Sequence, residues 1–334
     1  MARSADESTI LQMFRYMRPM GSTTEQIFIN QYLAPLGFKR DEFDNLVLTV
    51  GENAPFLFSC HMDTVHNVEG LQTLSYDEET GILSLSKRAK RSGSNCLGAD
   101  DTAGIWLITE MVKAGVPGTY IIHYGEESGC IGSTNLAKGN PMWLSQFSFA
   151  MAFDRAYRED VITHQMGRRT CSEAFARSLS AALGGKYRPD SGGAYTDTNE
   201  YAHIIPECTN VSVGYFRQHS SDETQDVRFL IELRDKLTKL DFTSLVIERD
   251  PTAAPWDDDD DYLPFYGTRY SDFHSFSQQD GDDLKSLVLQ YPDLVVDILE
   301  GLGVDKHELQ SQVQQFYGFT AYNSSGYGKK RAAG

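Results

Sequence analysis

FLFSCHMDTV, residues 56–65, is a short apolar run that ends in an imidazole, a single spacer and a carboxylate. A run of this length bounded by polar residues reads as a buried strand. Side chains alternate along a strand, so His61 and Asp63 leave the same face, close enough for one to hydrogen-bond the other. A buried strand needs cover, and strands that alternate with helices along the chain put helices on both faces of their sheet.

The flanking sequence supplies those helices. ADESTILQMFRYM (5–17) and STTEQIFINQYLAPLGF (22–38) read as amphipathic helices, the second opening at Ser/Thr with Glu25 and stopping near Gly37. NLVLTVG, PFLFSCHMD and GILSLSK read as strands, and DDTAGIWLITEMVKAG as a helix ending at Gly115. Strand TYIIHYG, a short helix near GSTNLAKG, strand FSFAMAFD, helix TCSEAFARSLSAALGG and strand TNVSVGYF follow. A long helix is expected from about Ser221 to Leu240, with Leu230, Leu233, Leu237 and Leu240 on its buried face and Ser220 with Glu223 as its capping box. This alternation predicts a three-layer α/β/α sandwich around a mixed, mostly parallel central sheet.

After Asp250 the character changes. The sequence predicts a catalytic domain over 1–250, an acidic Pro/Asp-rich linker over 251–281, a small helical region over 282–318 and a flexible tail over 319–334. The C-terminal helices are a candidate docking element. The net charge of −17 excludes the basic surface of a nucleic-acid binder. No apolar run is long enough to span a bilayer, and MARSADESTILQMF has neither the apolar core nor the cleavage pattern of a signal peptide. The five cysteines are widely spaced and form no C-x-x-C, which argues for reduced thiols and a cytoplasmic protein.

Four more apolar segments stop at residues of metal-ligand type. Asp100 and Asp101 precede a helix, Glu126 and Glu127 follow a strand, Asp154 ends a strand, and His219 lies past a strand and before a helix. Open α/β sheets bind ligands outside the carboxyl ends of their strands. Each residue alone has an ordinary reading as a helix cap, a solvated corner or a packed histidine, but together they converge on one cleft. Two histidines with three carboxylates suit zinc, and also cobalt or manganese. Asp100 can bridge two ions roughly 3.5 Å apart. Glu127 can bind metal while Glu126 faces the attacking water, and Asp63 can accept the other N–H of His61 and fix its tautomer.

The order HMDTV, LGADDTAG, GEESGCIGS, FD and H resembles the dinuclear zinc exopeptidases, the clan of peptidase T, aminoacylases and zinc aminopeptidases, over roughly residues 20–245. The resemblance implies two Zn2+ per chain. His61, Asp100 and Asp154 would hold one, and Asp100, Glu127 and His219 the other. Glu126 would be the general base and acid, and Asp63 the His61 orienter. It also implies a cis peptide after Asp100, and SGGAYTDTNEYAHIIP is similar to the Gly-Thr-Asp segment lining the cleft. Lidded relatives insert a second domain between the equivalents of Asp154 and His219; the interval here is too short for one. The oxyanion donor must then come from this chain's own loops, with His164, Arg168, Arg169 and Tyr195 as candidates. His66, His123 and His203 fall outside the pattern and read as structural or surface residues, and Cys60 and Cys130 as packed ones.

The expected function is a metal-dependent exopeptidase, an aminopeptidase on short peptides. The alternatives are an N-acyl amino acid amidohydrolase and a non-catalytic scaffold that keeps the peptidase core.

Overall fold

The computed structural model describes residues 3–52 and 54–252, with Val295 and Leu299 beyond them. The first helix, α1 (Ala5–Met13), begins where Ser4 and Glu7 close a reciprocal capping box. It is shorter than its amphipathic pattern predicts. Pro19 disfavours helix in the residue before it, and Tyr16–Met17 instead pair with Gly70–Leu71. The second predicted helix starts at its Ser22 cap but is α-helical only over Thr23–Phe28. Pro35 has no N–H for the carbonyl one turn back, and the chain loosens through a π turn (Ile29–Leu33) and a 3-10 turn (Ala34–Leu36) to a left-handed Gly37.

The central sheet has eight strands: β1 (Lys39–Arg40), β2 (Leu46–Val50), β3 (Phe56–His61), β4 (Gly118–His123), β5 (Phe149–Arg155), β6 (Asp160–Ile162), β7 (Arg188–Asp190) and β8 (Glu207–Ser212). Their order is β7-β6-β8-β5-β3-β4-β2-β1. Strands β8, β5, β3 and β4 are parallel, while β2, β1 and β6 run antiparallel to a neighbour. Cys60 lies beside Ile122, and Ser59 beside Ala152. That register brings the carboxyl ends of β3, β4 and β5 to one edge.

Strand alternation sorts the core onto two faces. Phe56, Phe58, Tyr120, Ile122, Phe149 and Met151 pack with α1, α2 (Ala99–Lys113), α4 (Glu173–Ala182) and α5 (Val227–Leu237). Leu57, Ile121 and Ala150 pack with α3 (Ile131–Gly139), Leu144 and Tyr201. The sandwich expected from the sequence is the fold observed. No helix among the described residues is long and apolar enough to cross a membrane, and all five cysteines are free and buried.

Two further expected elements differ. The strand read over 209–216 leaves the central sheet at Ser212, turns at Gly214 (φ +89°), and continues as Tyr215–Phe216 in a small sheet with Thr224–Asp226, Ile82–Leu85 and Leu74–Asp77. The long helix begins only at Val227, capped by Asp226, because Thr224–Asp226 pair with Ile82–Ser84. Ser220 and Glu223 therefore form no capping box, and His219 lies in a hairpin loop rather than ahead of a helix.

Between Asp154 and His219 the chain forms β6, a hairpin (His164–Gln165 with Arg168–Arg169), α4, β7 and β8, with no inserted domain. The linker, helical region and tail expected over 251–334 lie outside the described residues from 253 on, apart from Val295 and Leu299, which are helical.

Candidate metal centre

Three neighbouring strands deliver most of the site. His61 is the last residue of β3, Asp154 lies near the end of β5, and Glu126 and Glu127 occupy the turn after β4. That turn is left-handed at Gly125 (φ +67°), and the Glu126 carbonyl closes it by accepting the N–H groups of Gly129 and Cys130. Asp100 comes from the first turn of α2, where Asp100 and Asp101 have non-helical backbones joined by a cis peptide bond. The Asp101 carboxylate turns inward and accepts the N–H groups of His61 (3.2 Å) and Gly104 (2.8 Å).

His61, Asp100 and Asp154 bring ligand-type atoms within 4.8 Å of one another, and so do Asp100, Glu127 and His219. The two groups share Asp100, whose oxygens face different imidazoles. Oδ1 is 2.8 Å from His61 Nε2, and Oδ2 is 3.2 Å from His219 Nε2. His219 Nε2 is also 3.0 Å from Glu127 Oε1, and His61 Nε2 is 3.7 Å from Asp154 Oδ1. The structure thus brings together all five residues that the sequence singles out as ligands.

The donor set fits divalent cations. Asp63, Asp100, Asp101 and Asp197 are buried, and Glu126, Glu127 and Asp154 nearly so. A buried anionic cluster needs opposing charge, from protons or from bound cations. Burial pushes the Glu126 carboxyl well above the usual carboxylate range; Asp154, Asp197 and Glu127 add to this against the pull of His61. Burial likewise raises Asp197 to about 8. Burial works against a charged imidazole at His61 and His219, yet bonds to Asp100 and its neighbours raise both, His219 to about 12. A site that draws protons onto its own bases this strongly has the electrostatics of a cation site.

Asp63 differs from its expected geometry. The nearest partner of His61 Nδ1 is the main-chain carbonyl of Asp63 (3.0 Å), with the carboxylate Oδ1 at 3.5 Å. The chain bends just past the strand end, and Oδ1 accepts the Glu126 N–H instead, at 3.1 Å. A carbonyl only accepts, so His61 Nδ1 carries a proton, and toward a bound cation the ring would offer its Nε2 lone pair.

Other parts of the site carried no local signal. Asp154 Oδ1 accepts from the Tyr215 hydroxyl (3.1 Å) and Oδ2 from Thr196 (3.0 Å), while Asn210 holds its backbone from β8. Buried Arg18 donates to the Met62 carbonyl and to Thr102 Oγ1, tying the end of β3 to the start of α2. Burial lowers its pKa to about 10. Glu223 caps the backbone that leads into Asp100. The hairpin bearing His164, Arg168 and Arg169 is braced to the site, since Gln165 donates to Thr198, two residues past the Asp154 partner Thr196. Tyr195 is exposed. His123 and His66 are buried in networks of their own, and His203 is exposed.

The fold is shared with solved aminopeptidases. An aminopeptidase PepT from Bacillus cereus superposes with a TM-score of 0.55 at 14% identity, covering 70% of this chain and 96% of that one. A tripeptidase from Staphylococcus aureus gives 0.56 at 16%, over 70% and 96%. An aminopeptidase from the archaeon Desulfurococcus kamchatkensis gives 0.51 at 14%, over 73% and 96%. No protein-family model and no curated protein sequence matches the chain. At these identities the likeness establishes the fold, and the chemistry has to be argued from the site.

Proposed function

We propose that this protein is a metal-dependent exopeptidase, an aminopeptidase that hydrolyses short peptides. The observation that carries the reading is the shared carboxylate: Asp100 presents one oxygen to His61 and the other to His219. Two cations, Zn2+ by the donor chemistry with Co2+ or Mn2+ as substitutes, would be held by His61, Asp100 and Asp154 and by Asp100, Glu127 and His219. When bound, such a pair supplies Lewis acidity and an ionised water.

The chain's own residues supply the rest. Glu126 stands beside the cluster, next to Glu127 and with its main chain held by Asp63, where it would take a proton from the attacking water and return it to the leaving amine. Asp63 holds the Glu126 main chain and the His61 ring as one unit. We assign the oxyanion donor to the hairpin of His164, Arg168 and Arg169. The free, buried cysteines support a cytoplasmic setting.

The test is elemental analysis of the purified protein, followed by release assays on a dipeptide panel beside N-acetyl amino acids. Two zinc equivalents and dipeptide turnover that a chelator abolishes are expected. Turnover of the acylated series alone would replace this reading with an amidohydrolase. Absent metal and absent turnover would leave a scaffold that keeps the core.

A further inference from the structure

Glu223 is 1% exposed, and its carboxylate accepts four consecutive backbone N–H groups. Oε2 takes those of Leu97 (2.7 Å) and Gly98 (2.8 Å), and Oε1 those of Ala99 (2.9 Å) and Asp100 (3.1 Å). Those of Gly98, Ala99 and Asp100 are donors that the start of α2 leaves without carbonyl partners, and Leu97 lies just ahead of them. The segment they belong to is not a regular helix start. Gly98 is left-handed, and Asp100 and Asp101 depart from helical geometry. The direction in which Asp100 leaves the chain therefore rests on Glu223 and not on a helical ladder.

The same residue anchors the other end of the site. Glu223 follows His219 by four positions and immediately precedes Thr224, whose strand pairs with Ile82–Leu85. Between them the loop is held by a turn, in which Ser220 Oγ donates to the Arg217 carbonyl (2.8 Å), and by the Lys90–Asp222 ion pair (2.6 Å). Arg217 and His219 both have positive φ, and the His219 side chain is 42% exposed. The Glu223 N–H bonds back to the Ser220 carbonyl (3.1 Å), closing the loop beside His219. One buried side chain thus joins the loop of one candidate ligand to the main chain of another. His61 and Asp154, in contrast, sit on central strands that Glu223 does not touch.

We propose that Glu223 is a positioning residue for the cation held by Asp100, Glu127 and His219, locking the His219 loop to the Asp100 backbone so that the second site forms at full affinity. This rests on the two-cation reading above. An amide in place of the carboxylate turns an NH2 group toward two of the four N–H donors and leaves that pair without an acceptor.

The experiment titrates the full chain, stripped of metal, with Co2+, following visible absorbance, with elemental analysis after dialysis. Wild type is expected to take up two equivalents. Glu223→Gln is expected to bind the second about 10- to 100-fold more weakly, the range for lost partners of metal ligands, and to weaken the first less, because it shares Asp100 but keeps His61 and Asp154 on their strands. Glu223→Asp, which keeps the charge but shortens the reach, is expected to fall between them. Two wild-type affinities in both variants would overturn the proposal and leave the two-cation reading intact. A wild type that binds no Co2+ would overturn both. Unfolding of both variants by circular dichroism would make Glu223 a determinant of the fold and overturn its positioning role.

Discussion

Asp63 accepts the backbone N–H of Glu126 at 3.1 Å and stands 3.5 Å from His61 Nδ1, so one carboxylate spans a candidate ligand and the proposed base. Its second oxygen has no partner among the described protein atoms. Asp63→Asn keeps the shape and removes the charge. It should lower kcat about 10- to 100-fold, as partners of metal ligands do, with smaller effects on KM. Steady-state kinetics beside elemental analysis check this; unchanged kcat at full metal content would confine Asp63 to the fold.

Glu126 contributes no atom to the two cation groups that share Asp100, so Glu126→Gln should keep its metal and lose general-base catalysis, about 10²–10⁴-fold in kcat. Glu127→Gln should lose metal as well as turnover. Near-normal turnover of Glu126→Gln would remove it from the mechanism.

The hairpin of His164, Arg168 and Arg169 is fastened to the segment that bonds Asp154. Alanine at one of these positions should lower kcat about 10²–10³-fold at saturating substrate, the loss typical of an oxyanion donor. Wild-type turnover in all three variants would move the role elsewhere, with Tyr195 next.

His66 sets an acid limit on stability. Both Gln72 amide hydrogens go to carbonyls, of Phe14 and Leu97, so His66 Nε2 donates to Gln72 Oε1 (3.2 Å) and Nδ1 accepts from Thr64 (2.7 Å). The buried ring is neutral, burial lowering its pKa to about 4. The unfolded chain, with a histidine pKa of about 6.5, takes the proton first as pH falls. This contribution to stability is therefore complete above about pH 6.5. It is lost toward pH 4 at a slope of about 1.4 kcal/mol per unit. Urea unfolding across that window should show a shallower loss for His66→Gln than for wild type.

The structural boundary of the core lies beyond its last helix. Phe242 packs on Phe58 at 4.8 Å and near Phe56 and Phe149. Buried Glu207 accepts the N–H groups of Glu248 and Arg249, and the Arg249 guanidinium donates to the carbonyls of Ala202, Ile205 and Pro206. Truncation after Thr252 should leave melting temperature and metal content unchanged. Phe242→Ala should cost about 3–5 kcal/mol, measured by denaturant unfolding. An insoluble product from the Thr252 truncation would show that residues 253–334 belong to the core.

The sequence by itself determined which residues could meet. Apolar runs ending in His61, Asp154 and the Glu126–Glu127 pair are local patterns, because a buried strand shows its length and its stop in its own composition. Parallel register then carries those stops to one edge. Tertiary structure alone decided who holds them. Glu223 matches a capping box by spacing, yet its acceptors are spent on backbone more than a hundred residues earlier. Tyr215 and Thr196 reach Asp154 from a second sheet and a loop, and Asp63 turns from His61 toward Glu126. A hydrogen bond between distant segments has no period to read. The buried donor is satisfied by whichever acceptor the packing brings to it, and only the folded chain specifies which one that is.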